Sequence, residues 1–244
     1  MLSYNTSVSV NGQQPPSSGG ISASRQSIPS SAQLGRLSAP GLANSACASS
    51  ANSSNAMAAK GHHIWLVTGP AGCGKSTVAK YLSDVLHLPY IEGDEYHPQS
   101  NIEKMSAGIP LTDEDRWDWL TALREASIRE LNRGNEGVVL TCSALKRKYR
   151  DVIRVAPYFT PNLYLHFIYL DAPEELLVQR VRARQNHYMG ANMVHSQFEA
   201  LERPRPDEVD VITINVNKPL EDVTAEALDR VLQTMAAHQQ PPQA

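Results

Sequence analysis

The stretch Ile64-Trp65-Leu66-Val67-Thr68-Gly69-Pro70-Ala71-Gly72-Cys73-Gly74-Lys75-Ser76 decides the fold. Its first five residues are apolar or β-branched and read as a buried strand. The next eight, Gly69 to Ser76, form a glycine-rich turn that ends in Lys-Ser. Behind them Val78, Leu82, Val85 and Leu86 recur at helical spacing. A strand, a glycine turn and a helix start make an anion cradle: successive N–H groups point inward, and the helix dipole favours negative charge. In such a loop Lys75 reaches the outer phosphates of a nucleoside triphosphate, and the Ser76 hydroxyl ligates Mg²⁺. The donor side of a phosphate chemistry is therefore legible; the acceptor is not.

Working outward, the 244-residue chain has room for one α/β domain and a tail. Residues 1–60 hold 16 Ser, no Asp or Glu, and three basic residues: Arg25, Arg36 and Lys60. Their apolar residues follow no period, so the segment cannot bury enough surface to offset the entropy of ordering it. It is expected to be a disordered tail on a domain spanning 61–240. An acid-free, Arg- and Ser-bearing start also has the composition of a mitochondrial transit peptide, but with few arginines and no amphipathic stripe. The cytoplasm is the expected location.

Without the tail the chain keeps 19 of its 22 basic residues against all 25 acidic ones, a net of −6. That balance argues against a nucleic-acid partner. No apolar run approaches the ~18 residues that cross a bilayer, so no membrane partner is expected. Cys47, Cys73 and Cys142 are odd in number and lack metal-ligand spacing, which suits a reducing compartment.

Further strands are expected at Pro89–Glu92, Val138–Thr141, Leu163–Leu170 and Val211–Val216. Helices are expected at Lys75–Leu86, Asp113–Asn132, Pro173–Arg184 and Leu220–Ala237. This alternation implies an α/β, three-layer, mostly parallel sheet with ligands at the carboxyl ends of its strands. Asp171, followed by Ala-Pro-Glu-Glu, reads as a helix N-cap rather than a metal ligand.

The second strand runs into Glu92-Gly93-Asp94-Glu95-Tyr96-His97-Pro98. Of the two acids, one can hold Mg²⁺ through water and the other can take the proton of an attacking hydroxyl; a solvated acidic turn is the bland alternative. Arg116 follows an acidic cluster and reads either as an ordinary ion-pair partner or helix-surface charge, or as a planar fork for a substrate carboxylate. Trp117 and Trp119 read as helix packing. Lys146, Arg147, Lys148 and Arg150 follow the third strand and read as either an anion platform or a solvated basic helix face. Arg180 and Arg184 lie one turn apart ahead of the polar run Gln185–Asn192, the pattern of a mobile lid.

Taken together, these blocks resemble the gluconokinases. The resemblance is carried by Glu92 to Met105, by Gly108-Ile109-Pro110-Leu111 with Asp113-Glu114-Asp115-Arg116, and by Cys142-Ser143-Ala144-Leu145-Lys146 with Tyr149-Arg150-Asp151. His187-Tyr188-Met189, Ser196-Gln197-Phe198 and Leu201-Glu202 extend it, so that it covers about residues 62–236. It implies a P-loop kinase fold akin to shikimate and nucleoside-monophosphate kinases, with ATP and Mg²⁺ as cofactors and D-gluconate as the small-molecule partner; a homodimer is a possible assembly. The implied product is 6-phosphogluconate, which feeds the pentose phosphate pathway.

In that family pattern Gly69 to Ser76 bind ATP, with Lys75 and Asp94 catalytic and Asp94 the base. Glu92 supports the metal with Ser76. His97, Arg116 and Lys146 bind the polyol or its carboxylate together with Asp94, Arg180 lies near adenine, and Arg184 lies near the phosphates. Two positions depart from it: Glu92 stands where many relatives have Asp, and Cys73 where many have Ser. Cys73 is either a thiol activated by the loop dipoles or one kept inert by burial. Other readings are a kinase of another acid or polyol, shikimate-like, or a nucleotide-binding regulator without turnover.

Overall fold

The computed structural model describes residues 61–183 and 191–239. The expectations placed on the tail 1–60, on Arg184 and on residues 185–190 therefore lie outside the described residues. The domain is built from β1 (His62–Thr68), α1 (Lys75–Leu86), β2 (Tyr90–Ile91), α2 (Gln99–Ser106), α3 (Glu114–Asn132), β3 (Gly137–Thr141) and α4 (Arg147–Arg154). It continues with α5 (Ala156–Phe159), β4 (Leu163–Asp171), α6 (Glu174–Ala183), α7 (Ala191–Ala200), β5 (Val211–Asn215) and α8 (Leu220–Gln239). A 3-10 turn, Gly93–Tyr96, follows β2.

All strand pairs are parallel, in the order β2-β3-β1-β4-β5. The hydrophobic run read first in the sequence is thus the central strand, and Ile64, Trp65, Leu66 and Val67 are fully buried. Alternation along the strands sends side chains to two cores. Trp65, Val67, Ile168, Leu170 and Ile214 meet Val78 and Leu82 of α1 and Val223 and Val231 of α8. Ile64, Leu66, Val138, Leu140 and Phe167 meet Leu120 and Leu123 of α3 and Ile153 of α4. Helices on both faces of a parallel sheet give three layers, as expected.

Each expected strand and helix that falls on described residues is present, within a few residues at its ends. α3 opens with a reciprocal capping box: the Thr112 N–H donates to Asp115 Oδ2 at 2.8 Å, and the Asp115 N–H donates to Thr112 Oγ1 at 3.4 Å. Asp171 departs from expectation. Among the described residues its carboxylate accepts from Arg203 and, at 3.3 Å, from Tyr169, so an ion pair takes the place of the helix cap.

At the opposite end of the sheet from the glycine loop, His63 and His166 stack with Trp65, and His63 Nδ1 lies 3.3 Å from His166 Nε2. Burial, followed by neighbouring His238 and His62, lowers the His63 pKa to about 4. Burial, followed by His63 and His238, lowers that of His166 to about 3. The unfolded chain takes up these protons near the ordinary histidine value of ~6.5 and the folded chain does not, so stability is lost as pH falls below that value. The melting temperature is expected to drop between pH 7 and pH 5, and His166→Phe to flatten that slope. A slope unchanged by the substitution assigns the loss to other groups.

Candidate active site

The loop Gly69–Gly74 joins β1 to α1 with positive φ at Gly69 (141°), Gly72 (84°) and Gly74 (101°), conformations that side chains resist. The turn therefore runs directly into the N-terminus of α1 at Lys75. Lys75 folds back along it, Nζ donating to the carbonyls of Gly69 at 3.0 Å and Pro70 at 3.1 Å. Cys73 is buried, and burial raises its thiol pKa against the pull of Lys75. It is a packed thiol, and the activated reading fails because desolvation outweighs the loop dipoles.

Glu92 faces the loop from the carboxyl end of β2. One carboxylate oxygen accepts from the Thr141 hydroxyl and the other from the Tyr90 hydroxyl. The Ser76 hydroxyl donates to it as well. Burial raises its pKa, but these three donors and then Lys75 outweigh burial, so the net shift is downward and Glu92 is an anion. An ionised carboxylate beside the loop serine is the oxygen donor set that a hard divalent cation prefers. The residues present thus fit Mg²⁺ and a polyphosphate.

Gly93 brings the backbone of this acidic turn against β3. A Cβ there would lie 1.9 Å from the Thr141 carbonyl oxygen, so only glycine fits. The Gly93 carbonyl accepts the indole N–H of Trp119 at 2.7 Å. Trp119 in turn stacks on His97 with ring centroids 4.0 Å apart. Asp94 projects from the turn on the exposed side, and burial, ahead of the opposing pull of Asp94, holds His97 below the usual histidine value. Neutral His97 is also within 3.4 Å of the Asn101 amide.

Beyond it lies a cationic wall. Arg116 donates to the Leu111 carbonyl and, at 2.7 Å, to that of Thr112, and its guanidinium lies 5.4 Å from the Tyr149 ring. Lys146 pairs with Asp113 at 3.0 Å and lies 5.6 Å from the same ring. Asp113 also accepts from Lys148 and from the Tyr149 hydroxyl, and these donors, Lys148 foremost, hold its carboxyl far below the usual range. Sequence reasoning missed Asp113 and Tyr149 as organisers of this wall; the sole hint was their presence within the resembling blocks.

The rest of the basic run is structural. Arg150 forms a buried bidentate pair with Glu208, both bonds at 2.7 Å, and Arg147 pairs with Asp207 at 2.7 Å. The anion platform expected over Lys146–Arg150 thus reduces to Lys146, which alone of these cations lines the cavity, while Arg147 and Arg150 are held by Asp207 and Glu208 and Lys148 shares Asp113 with it. Arg180 donates to the Val216 carbonyl at 2.8 Å on the β5 side of the loop.

Ala71, Gly72, Gly74, Lys75 and Ser76 of the loop line one cavity of about 660 Å³ together with Glu92, Asp94, His97, Arg116 and Lys146, whereas Gly69, Pro70, Cys73 and Arg180 lie outside its lining. α7 contributes Met193, Ser196, Gln197 and Ala200 to it. Phosphate cradle, acidic turn and cationic wall are therefore brought together as the sequence implied, and Arg184 alone of the expected site residues lies outside the described ones. Among the described residues no helix is long and apolar enough to cross a membrane.

Comparison with known proteins gives the same arrangement a lineage. A family model described as AAA domain matches residues 66–202. Over 180 residues the chain is 50% identical to a "Probable gluconokinase" of Schizosaccharomyces pombe, covering 73% of this chain and 93% of that protein. It is 41% identical over 168 residues to the thermoresistant gluconokinase of Escherichia coli, covering 69% of this chain and 93% of that one. Among solved structures, a gluconokinase from Sinorhizobium meliloti superposes with a TM-score of 0.61 at 38% identity, covering 74% of this chain and 98% of that one. A sugar kinase from Janibacter superposes at 0.63 with 37% identity, covering 74% and 99%. With relatives 41% and 50% identical to it and matched over 93% of their own lengths, the chain belongs to the gluconokinase family.

Proposed function

We infer that this protein transfers the γ-phosphate of ATP to D-gluconate, giving ADP and 6-phosphogluconate. The observation that carries the reading is the single cavity in which a phosphate loop faces Asp94 across Glu92 and opens onto Arg116 and Lys146. A polyol carrying one carboxylate and a primary hydroxyl suits that order of groups: cations for the acid, Asp94 for the hydroxyl, loop amides for the phosphates.

Bound Mg²⁺ would neutralise charge on the phosphates. Ser76 and, through water, Glu92 are the residues to hold it. The amides of Gly69–Ser76 and the Lys75 ammonium bind the phosphate chain and offset charge that grows in transfer. Asp94 accepts the hydroxyl proton, which requires its ionised form. Neutral His97, held by Trp119, donates or accepts one hydrogen bond to the polyol without adding charge beside Asp94. Arg116 and Lys146 bind the carboxylate, and Arg180 borders the adenine side. Entry of the product into the pentose phosphate pathway, a cytoplasmic location and a homodimeric assembly are parts of the same proposal. The tail 1–60 is taken to be dispensable for the chemistry.

Arg116→Lys is expected to raise KM for gluconate by about tenfold or more while KM for ATP changes little, because an ammonium cannot reproduce the planar fork. Equal changes in both would assign Arg116 to structure. The reading itself is tested by ADP release with gluconate, glucose, shikimate and AMP as acceptors. Turnover is expected with gluconate; turnover with shikimate instead would move the enzyme to another kinase class.

A further inference from the structure

One contact at the phosphate loop belongs to none of the roles above. The Ala71 N–H donates to Gln197 Oε1 at 2.6 Å, across 126 residues of sequence. Ala71 is buried, and its amide stands among those that would address the nucleotide phosphates. Gln197 sits on α7, whose Val194 is fully buried against the α6 side of the core. The chain just past α7 is bonded to the acceptor side. The Glu202 N–H donates to the Leu145 carbonyl at 2.9 Å, and Glu202 Oε2 accepts the Arg147 N–H at 2.8 Å. Leu145 and Lys146 line the cavity. One short helix and the two residues that follow it therefore hold the donor loop at Gln197 and the segment carrying Lys146 at Glu202.

We propose that Gln197 is a positioning residue that couples occupancy of the phosphate loop to binding of the acceptor. The argument is geometric. The Ala71 N–H has one hydrogen, so a phosphate oxygen drawing on it and Gln197 Oε1 must share or exchange that donor. Either event changes the restraint on α7, and α7 passes the change to Leu145 and Lys146 through Glu202. Coupling of this kind is a free energy between two sites and is reciprocal. The inference rests on the gluconokinase reading of the cavity and adds to it a residue that touches neither reacting atom.

The test is calorimetric binding of gluconate to the full-length protein, with and without a saturating Mg²⁺ complex of the β,γ-imido analogue of ATP. The wild type is expected to bind gluconate about fivefold or more tightly with the analogue present, the low end of typical couplings. Gln197→Met keeps the side-chain volume and removes the acceptor, so its ratio is expected to fall to within about twofold of one. Gln197→Glu keeps an acceptor oxygen at the same reach and is expected to retain the ratio even where its charge weakens analogue binding. If Gln197→Met does not fold, Gln197→Asn, whose oxygen is drawn back by one methylene, is expected to lose the ratio in its place. A wild-type ratio of one, or a ratio that survives removal of the acceptor, overturns the inference while leaving the kinase reading intact. Gluconate that binds under neither condition removes the acceptor reading, and the coupling with it.

Discussion

Asp94→Asn is expected to lower kcat by roughly 100- to 10,000-fold, the usual contribution of a positioned general base. In free energy that is about 3–5 kcal/mol of barrier. The substitution is nearly isosteric, and Asp94 is an exposed side chain on the 3-10 turn, so the fold has little to lose by it. The turn is held elsewhere, by Trp119 on the Gly93 carbonyl and by Thr141 on the Gly93 N–H at 3.0 Å. KM for ATP should therefore change far less than kcat. Steady-state kinetics decide the matter: a variant turning over within a few-fold of wild type would leave the acidic turn without a base and shift attention to Glu92.

Arg150→Met is expected to cost about 3 kcal/mol of stability, the low end for breaking a buried pair, because Glu208 then keeps only Arg154, at 2.7 Å, as its charged partner. Arg150 and Glu208 are 2% and 1% exposed, and the pair is bidentate. Arg150 also donates to the carbonyls of Ala144 and Glu202, both at 3.2 Å, so its loss unties three segments at once. Burial raises the Glu208 pKa, but Arg150 and Arg154 outweigh it and hold it at about 2. Chemical denaturation of the single variant and of Arg150→Met with Glu208→Leu separates two causes. If the half-compensated Glu208 charge is the problem, the double variant recovers most of the loss, since apolar replacement of a buried pair is often neutral and Arg154 keeps Asp210. No recovery would place the loss in the carbonyl contacts instead.

The sheet and the helices α1, α3, α6 and α8 were legible because the signals are local. β1 is a continuous apolar run, α1 repeats apolar residues at helical spacing, and α3 carries its own capping box. α2, α4, α5 and α7 were missed, the first two for opposite reasons. Gln99–Ser106 is largely polar and mostly surface, so no apolar stripe marks it. Arg147–Arg154 buries Tyr149, Arg150 and Ile153, and a buried arginine hides a helix from any hydrophobic pattern. What satisfies Arg150 lies 58 residues further on, beyond the reach of local reasoning.

The site divides along the same line. Gly69 to Ser76, Glu92 and Asp94 sit on consecutive strand ends, and the parallel order β2-β3-β1 forces them together. Gly93 could be named in the sequence, but its reason could not: the 1.9 Å approach to Thr141 exists only once β2 and β3 pair. Asp113 reads locally as a helix-start acid, and its grip on Lys146 and Lys148 depends on α3 and α4 lying side by side. Cys73 and Asp171 show how tertiary context replaces a local role with another, burial in the first case and an ion pair with Arg203 in the second.

The most direct measurement of the central claim is a phosphorus–proton NMR spectrum of the reaction of full-length protein with MgATP and D-gluconate. Transfer by this cavity predicts ADP in equal amount with a phosphomonoester whose phosphorus couples to the C6 methylene protons. Inorganic phosphate formed at the same rate with and without gluconate, and no sugar phosphate, would contradict it.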